Sequence, residues 1–262
     1  RGLGDVYKRQ GQMNWVAKIS KALEENRMLL YRQTILPLQD TEHKVEHFEL
    51  LLRMLDEDGK LLPPMAFLPA AERYNLMSAV DFWVVKNAFK YYKEFCTHDD
   101  IAYTCCINLS GATVGDERLI GYIREQFELF DISPKGICFE ITETAAIANL
   151  NSAVTLIHHL KQIGCRFALD DFGSGMSSFG YLKTLPVDYI KIDGSFVKDM
   201  LHDRIDYAMV EAINNIGHVM GIQTIAEFVE NDEIREELKR INVNFAQGYG
   251  VGRPEPIHAA KT

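Results

Sequence analysis

Residues 136–171 read GICFEITETAAIANLNSAVTLIHHLKQIGCRFALDD, and this stretch contains one complete unit of the fold. The apolar run from Gly136 to Thr142 is typical of a buried strand. Apolar residues then recur at helical spacing from Asn151 to Ile163, and a second strand-like run extends from Arg166 to Asp171. A strand, a helix and a further strand in this order predict two parallel strands joined by a crossover helix.

The same alternation extends in both directions along the chain. On the amino-terminal side we predict a helix at Met77 to Phe95, a strand at Tyr103 to Ser110 and a helix at Asp116 to Phe130. On the carboxyl-terminal side we predict helices at Met176 to Leu182, Arg204 to Met220 and Asp232 to Ile241. They alternate with predicted strands at Tyr189 to Asp193, Gln223 to Phe228 and Asn244 to Tyr249. Apolar strands that alternate with amphipathic helices indicate a parallel sheet covered by helices.

The beginning of the chain departs from this alternation. Strand-like runs at Leu29 to Leu38 and Lys44 to Leu55 are separated only by the polar run Gln39 to His43. That run is too short for a crossover helix, so the two strands must pair antiparallel. The total of eight strands predicts an α/β fold, a (β/α)8 TIM-like barrel with an antiparallel first strand. An open doubly wound sheet fits less well, because no GxGxxG sequence follows a strand.

We expect a single barrel domain at residues 28–258, because no linker rich in Pro, Gly or Ser divides the chain. Before it, Trp15, Ile19, Ala22 and Leu23 recur at helical spacing and predict a connector helix at residues 13–27. Residues 1–12 match no element and are expected to be an unstructured or artefactual leader. Residues 259–262 are expected to be a short tail.

The composition is that of a soluble globular protein, with 47% hydrophobic and 25% charged residues. No apolar run approaches the roughly 18 residues that cross a bilayer, so we expect a cytoplasmic domain without direct membrane contact. The net charge of −9 argues against DNA as a partner. The five cysteines form no CxxC pair and are expected to be buried, reduced thiols.

Charged and amide side chains fall at the carboxyl ends of the predicted strands. They are Glu49, Asn108, Glu140, Asp170, Asp171, Lys191, Asp193, Glu227 and Gln247. In a barrel these strand ends converge on one rim, where the active sites of this fold lie. A single charged residue there is usually a solvated loop residue, but the same placement on strand after strand is not expected by chance.

The carboxylates of such a rim would repel one another. Two like charges about 4 Å apart repel by roughly 4 kcal/mol at an effective dielectric of 20. Either several of these acids keep their protons, or divalent cations occupy the site. Oxygen donors without His or Cys favour Mg²⁺ or Mn²⁺, and the cations would attract a phosphate in spite of the negative net charge. The tandem Asp170-Asp171 is suited to bridge a pair of cations.

These motifs, in this order, resemble the EAL family of cyclic di-GMP phosphodiesterases from about Met28 to Pro256. The matching segments are Glu49-Leu50-Leu51-Leu52-Arg53, Asn108-Leu109-Ser110, Glu140-Ile141-Thr142-Glu143, Asp170-Asp171-Phe172-Gly173-Ser174-Gly175, Lys191-Ile192-Asp193, Ala226-Glu227 with Glu230, and Gln247-Gly248-Tyr249. The resemblance implies metal-dependent hydrolysis of cyclic di-GMP to linear pGpG, with two Mg²⁺ or Mn²⁺ ions as cofactors.

The resemblance also implies two sets of metal ligands. One ion would be held by Glu49, Asn108, Glu140 and Asp170. The second would be held by Asp170, Asp171 and Glu227.

Further roles follow from the same resemblance. Lys191 would orient and activate the attacking water, with support from Asp193 and Gln247. Glu143 would brace the loop from Asp171 to Ser178. Substrate would be bound by Arg53 on a phosphate and Gln33 on a guanine, with Asp193 and Gln247 supporting the substrate as well as the water.

The family pattern further implies partners. A GGDEF or sensory domain is expected upstream, because the stretch from Met13 to Asn26 resembles the connector that follows GGDEF domains. A homodimer is expected through the Asp170-Asp171 loop and the following helix, around Ser177 to Lys183.

Four residues depart from the family pattern, namely Thr34, His47, Leu50 and Phe228. Leu50 is expected to crowd the barrel interior, and Phe228 replaces a glycine. These departures keep two alternatives open: a catalytically weak or inactive cyclic di-GMP receptor or interaction module, and a barrel hydrolase for another phosphodiester. His158 and His159 lie on a predicted helix and are expected to be surface residues.

Overall fold

The computed structural model describes residues 15–39, 45–97, 102–175 and 179–257. The strands are β1 (Met28–Pro37), β2 (Val45–Leu55), β3 (Leu61–Leu62), β4 (Ala102–Asn108), β5 (Ile137–Thr142), β6 (Arg166–Phe172), β7 (Tyr189–Ile192), β8 (Gln223–Ala226), β9 (Phe245–Ala246) and β10 (Glu255–Pro256). Residues 15–24 form helix α1. The other helices are α2 (Pro64–Arg73), α3 (Met77–Phe95), α4 (Gly111–Val114), α5 (Arg118–Phe130), α6 (Glu143–Ala148), α7 (Leu150–Ile163), α8 (Gly194–Asp199), α9 (Arg204–Val219) and α10 (Asp232–Arg240).

The strands close into an eight-stranded barrel in the order β1-β9-β8-β7-β6-β5-β4-β2, with β2 pairing back to β1. Strand β1 runs antiparallel to both of its neighbours: Gln33 lies opposite Glu49 of β2, and Leu36 lies opposite Ala246 of β9. The remaining pairs around the ring are parallel. The predicted barrel with an antiparallel first strand is therefore confirmed.

The core has two layers, because successive side chains of a strand point to opposite faces. One layer lies between the strands and the helices and includes Phe48, Phe139 and Phe167. The other fills the barrel interior and consists of Ile35, Cys106, Cys138, Ala168, Tyr189, Ile225 and Phe245. All five cysteines are buried, as predicted, and none of them forms a disulfide bond.

Leu50 belongs to the outer layer, where it is 2% exposed. It alternates with Glu49, whose carboxylate enters the barrel, so it packs against the helices and leaves the interior free. The prediction that Leu50 crowds the interior is therefore wrong, and the physical reason is the alternation of side chains along a strand.

Several predicted boundaries also differ. Residues 176–178 of the predicted helix Met176 to Leu182 lie outside the described residues, and Phe179–Thr184 form a 3₁₀ helix. The last predicted strand, Asn244 to Tyr249, is paired only at Phe245–Ala246. Helix α2 was not predicted, because Pro63 and Pro64 read as loop residues; proline is nonetheless well accepted at the first helical position.

The ends of the chain are only partly described. Helix α1 packs through Ile19 and Ala22, both 0% exposed, into the outer core layer. The predicted leader at residues 1–12 and the predicted tail at residues 259–262 lie outside the described residues. Among the helices that the structure describes, none has the length and apolar character required to cross a membrane.

Asp81 of α3 fastens that helix to the segment that follows β4. Its Oδ2 accepts hydrogen bonds from Ser110 N at 2.9 Å, Ser110 Oγ at 2.7 Å and Thr113 Oγ1 at 2.5 Å. Asp81 is 4% exposed, and burial raises its pKa. The carboxylate thereby fixes the end of the strand that carries Asn108.

Replacing Asp81 with Ala should lower the free energy of unfolding by about 3 kcal/mol, because three donors lose one shared acceptor in buried surroundings. Asp81→Asn keeps a side-chain oxygen and should cost about 1 kcal/mol. Urea unfolding of both variants beside the wild type checks this order. A cost below about 0.5 kcal/mol for Asp81→Ala would show that the contact is dispensable.

Candidate metal centre

The predicted polar residues meet at one rim of the barrel, beyond the carboxyl ends of the parallel strands. Most of these residues lie at, near or just past the end of a strand: Asn108 of β4, Glu140 of β5, Asp170 and Asp171 of β6, Lys191 of β7, Glu227 after β8 and Gln247 after β9. Glu49 is the exception to the predicted placement, because it lies in the middle of β2, which extends to Leu55. Their convergence follows from the barrel itself, since parallel strands in a closed sheet end at the same opening.

The amino group of Lys191 is the centre of this cluster. It is 1% exposed, and Nζ lies 2.9 Å from Glu140 Oε2, 3.1 Å from Asp170 Oδ1, 3.1 Å from Glu227 Oε1 and 3.2 Å from Glu49 Oε2. Four carboxylates therefore surround one ammonium group. If all of them are ionised, the cluster carries a net charge of −3, obtained as four negative charges and one positive charge.

Burial and the excess of negative charge shift the pKa values of the groups in this cluster. Burial opposes the charged form of Lys191, but the surrounding carboxylates outweigh it and raise its pKa well above the usual value. Burial raises the pKa of Glu227 to about 8, with Lys191 opposing and the charges of Asp170 and Glu49 adding to the rise. Burial and the neighbouring Asp170 and Asp193 raise the pKa of Asp171 to about 6.

Glu49 and Glu140 respond in opposite directions, although both are buried. Burial raises the pKa of Glu140 well above its usual value, against the attraction of Lys191. Burial also opposes ionisation of Glu49, but its pKa is lowered by Lys191 and by hydrogen bonds from Gln247 Nε2 at 2.6 Å and Asn108 Nδ2 at 2.5 Å. Glu49 is therefore the acid of this cluster that is prepared to bind a cation without losing a proton.

The donor set fits a hard divalent cation. Asp170, Asp171 and Glu227 each offer a carboxylate oxygen within 4.8 Å of the others. Two further oxygens, Glu140 Oε1 and Gln247 Oε1, are buried and have no hydrogen-bond partner among the described residues. Such atoms are costly unless an ion or water satisfies them, and oxygen ligands are those that Mg²⁺ and Mn²⁺ prefer.

A cavity of about 340 Å³ opens above the cluster. Gln33 and Arg53 line it together with Glu49, Lys191 and Glu227. The side chain of Gln33 is fixed by donating to Gly252 O at 2.9 Å and accepting from Gln247 Nε2 at 3.2 Å. The guanidinium of Arg53 donates to Leu52 O at 2.8 Å and lies over the ring of Tyr31.

The other two predicted residues act on the loops around the cluster. Glu143 is 2% exposed and accepts from Gly173 N at 2.9 Å and from the hydroxyl of Tyr181. It thereby ties the start of the loop after β6 to the 3₁₀ helix. Asp193 caps helix α8 by accepting from Ser195 N at 2.7 Å. Tyr181 was not predicted, because no local pattern marks a tyrosine that reaches another segment.

Of the departures from the family pattern, only Phe228 reaches the cavity. Its backbone adopts φ +52°, a left-handed conformation that bulky residues rarely take, and its side chain is 61% exposed. The ring packs on Gly194, where a Cβ atom would collide with it. His47 lies at the opposite end of the barrel, with its ring tilted by 40° against that of Phe245, and Thr34 is exposed.

Replacing Lys191 with Met should lower the free energy of unfolding by about 3–5 kcal/mol in a chelator, since four buried acids lose their counter-charge. Mn²⁺ should restore more stability to this variant than to the wild type, because the cation takes over the neutralisation. Urea unfolding with and without Mn²⁺ measures both. The matched control is Lys198→Met, which removes an exposed lysine of α8. An equal loss with and without Mn²⁺ would contradict a cation site at this cluster.

Comparison with known proteins identifies the family. The EAL domain family model matches residues 16–254. The cyclic di-GMP phosphodiesterase PdeB of Shewanella oneidensis is 45% identical over 245 residues, which cover 93% of this chain and 28% of that protein. The cyclic di-GMP phosphodiesterase PdeA of Borreliella burgdorferi is 36% identical over 239 residues, covering 91% of this chain and 35% of that protein. The chain thus spans about a third of the length of these relatives.

Solved structures share the barrel. The FimX EAL domain from Pseudomonas aeruginosa bound to c-di-GMP superposes with a TM-score of 0.85 at 29% identity, covering 95% of this chain and 99% of that chain. The PaMucR phosphodiesterase in its c-di-GMP complex gives a TM-score of 0.84 at 29% identity, covering 93% and 98%. From the match of the family model, the identity to these relatives and the shared barrel, the chain belongs to the EAL domain family.

Proposed function

We propose that this domain hydrolyses cyclic di-GMP to linear pGpG with the help of two Mg²⁺ or Mn²⁺ ions. The observation that carries the proposal is the complete set of carboxylates around Lys191 at the open rim of the barrel. The names of the PdeB and PdeA relatives support the same reaction. The EAL structures that contain c-di-GMP support the same ligand.

The two ions would be held by the residues that the sequence indicates. Glu49, Asn108, Glu140 and Asp170 would bind one, and Asp170, Asp171 and Glu227 the other. Bound divalent cations supply Lewis-acid stabilisation of a phosphate and lower the pKa of water. The buried oxygen of Glu140 without a partner and the close spacing of Asp170, Asp171 and Glu227 support this assignment.

Lys191 would act as a hydrogen-bond donor and not as a base. Its raised pKa keeps it protonated, so it can orient a water molecule and stabilise negative charge on the phosphate. Gln247 would support the same water, because its amide already bridges Gln33 and Glu49. Asp193 would act from further away, by fixing the start of α8 beside Asp171.

Substrate binding would use the walls of the cavity. The guanidinium of Arg53 provides donors for a phosphate, and Gln33 provides an amide for a guanine edge. The exposed rings of Phe228 and Tyr249, at 61% and 60%, are surfaces on which a purine can stack. The guanidinium of Arg253 lies 4.5 Å from the ring centre of Tyr249 and adds a positive charge nearby.

A receptor without turnover is the second candidate function. It is favoured by one observation, the bulky Phe228 in a left-handed conformation directly after Glu227. A ring held there narrows the approach to the second set of ligands. An EAL domain with this feature could bind the cyclic dinucleotide and leave it intact.

We also propose two assembly features that the resemblance implies. A homodimer would use the groove of about 470 Å³ beside the 3₁₀ helix, lined by Gly180, Lys183, Asn215, Ile216, Val219 and Met220. Residues 177 and 178, at the start of the predicted dimer segment around Ser177 to Lys183, lie outside the described residues. An upstream GGDEF or sensory domain is consistent with the greater length of the relatives and with MucR of Pseudomonas aeruginosa, named a bifunctional diguanylate cyclase and phosphodiesterase.

Replacing Asp171 with Asn tests catalysis with little risk to the fold. Asp171 has φ +53°, a conformation that Asn also accepts readily. The variant should lose about 100-fold or more of the pGpG-forming activity in Mn²⁺, because it lacks a charged ligand of the second ion. Liquid chromatography of the nucleotides measures turnover, and the matched control is Asp199→Asn in the exposed part of α8.

The same samples separate the two candidate functions. Isothermal titration of cyclic di-GMP in a chelator measures binding without turnover. Turnover by the wild type that is lost in Asp171→Asn supports the phosphodiesterase. Tight binding with no turnover by the wild type supports the receptor, and neither binding nor turnover rejects both.

The Mn²⁺ concentration for half-maximal activity should fall as the pH rises from about 6 to about 8. Below these values Asp171 and Glu227 hold protons that the cation must displace, since their pKa values are about 6 and about 8. For each proton that the cation displaces, the affinity of the site for Mn²⁺ rises by up to about tenfold per pH unit. Activity titrations with Mn²⁺ at several pH values measure this, and Glu227→Gln should remove the dependence near pH 8. A requirement independent of pH would contradict the assignment.

A further inference from the structure

Two cysteines lie inside the barrel directly beneath the carboxylate cluster. Cys106 of β4 and Cys138 of β5 are partners in the parallel register and are 2% and 0% exposed. Both point into the interior layer of the core. Their sulfur atoms and a carboxylate oxygen of Glu140 all lie within 4.8 Å of one another.

Ordinary apolar packing explains the thiols but not the acid beside them. Glu140 is 0% exposed, and its Oε1 makes no hydrogen bond of ordinary geometry among the described residues, although a contact with the Cys106 thiol couples the two groups. Its other oxygen, Oε2, accepts from Lys191 Nζ at 2.9 Å. Glu140 therefore links the open cluster to the thiols below, and one of its oxygens is left for a further ligand.

Cys105 shows the contrast with a plain core cysteine. It precedes Cys106 in β4, so its side chain points to the opposite face, into the layer between strands and helices. It is buried to the same degree, at 0% exposed, but is not part of the trio with Glu140. The chain thus supplies its own matched control.

The trio has the chemistry of a thiophilic cation site. Zn²⁺ binds thiolate sulfur at about 2.3 Å and carboxylate oxygen at about 2.0–2.2 Å, which places tetrahedral ligands roughly 3.5–3.8 Å apart. The three ligand atoms lie within 4.8 Å of one another, so an approach of about 1 Å would bring them to that spacing. With Glu140 ionised, a divalent cation that displaces both thiol protons to solvent leaves the net charge of the barrel interior unchanged, so no uncompensated charge is buried.

We propose that Cys106, Cys138 and Glu140 form an inhibitory site for a thiophilic divalent cation such as Zn²⁺ or Cd²⁺. A cation bound there draws Glu140 toward the thiolates and removes it from the set of oxygen ligands above. Hard cations such as Mg²⁺ do not compete for it through sulfur, so the site discriminates by ligand softness. The binding of the cation stands on its own, whereas its inhibitory effect rests on the proposed phosphodiesterase function.

Cd²⁺ titration of the metal-free domain tests binding without reference to activity. We expect a thiolate-to-Cd²⁺ absorption band in the ultraviolet that saturates at one ion per chain. The band should be retained in Cys105→Ala and lost in the Cys106→Ala/Cys138→Ala double variant. Thermal melts establish that each variant is folded, and the two single variants replace the double variant if it is not. No band in the wild type, or a band that persists without Cys106 and Cys138, overturns the proposal.

The inhibition arm uses cyclic di-GMP hydrolysis in saturating Mn²⁺, with each variant compared with its own activity. The Cd²⁺ concentration for half inhibition should rise at least about tenfold in the double variant and stay unchanged in Cys105→Ala. Equal Cd²⁺ concentrations for half inhibition in the double variant and in Cys105→Ala would overturn the inhibitory role of the thiols. They would place the effect of Cd²⁺ at the carboxylates. If the domain has no turnover, the absorption band still decides whether the cation binds, so failure of the proposed function is distinguishable from failure of the site.

Discussion

The ion cluster around Lys191 is the constraint on which the rest of the barrel depends. Four carboxylates lie within 3.2 Å of one buried amino group, and they come from strands that are far apart in sequence. The observed register, in which Asn108 lies opposite Glu140 and Thr142 opposite Asp170, satisfies this arrangement. A slip by one residue would turn each acid into the apolar layer beneath the helices, at a large desolvation cost.

The cluster is also poorly balanced, which links its electrostatics to its chemistry. Burial raises the pKa of both Glu227 and Glu140, and the negative charge of the neighbouring acids, which one ammonium cannot neutralise, adds to the rise. The mutual repulsion of these carboxylates would favour the binding of cations, because a bound cation would neutralise charges that are unfavourable without it. The thiols of Cys106 and Cys138 lie under the same acids, so a softer cation meets a different set of ligands at the same place.

Some features of the fold were predictable because a local pattern controls them. The short run after β1 left no room for a crossover, and β1 is antiparallel as a result. Helix α7 was predictable because its apolar residues recur at helical spacing. The helix ends at Gly164, whose φ of +112° suits only glycine. Helix α2 was not predicted because proline is common both in loops and at the first position of a helix. Asn244 to Tyr249 resembled a longer strand because buried loops and buried strands have similar compositions.

The sequence alone determined the class of fold and the identity of the acids and amides near the strand ends, and from these oxygen donors it predicted a preference for hard cations. Strand period and ligand type are properties of short segments, so no distant contact was needed to infer them. Tertiary structure alone decided that Glu143 meets Tyr181, that Phe228 packs on Gly194, and that Cys106 but not Cys105 lies beside Cys138 and Glu140. Such contacts depend on which segments the closed barrel brings together, and local pattern carries no information about partners a hundred residues away.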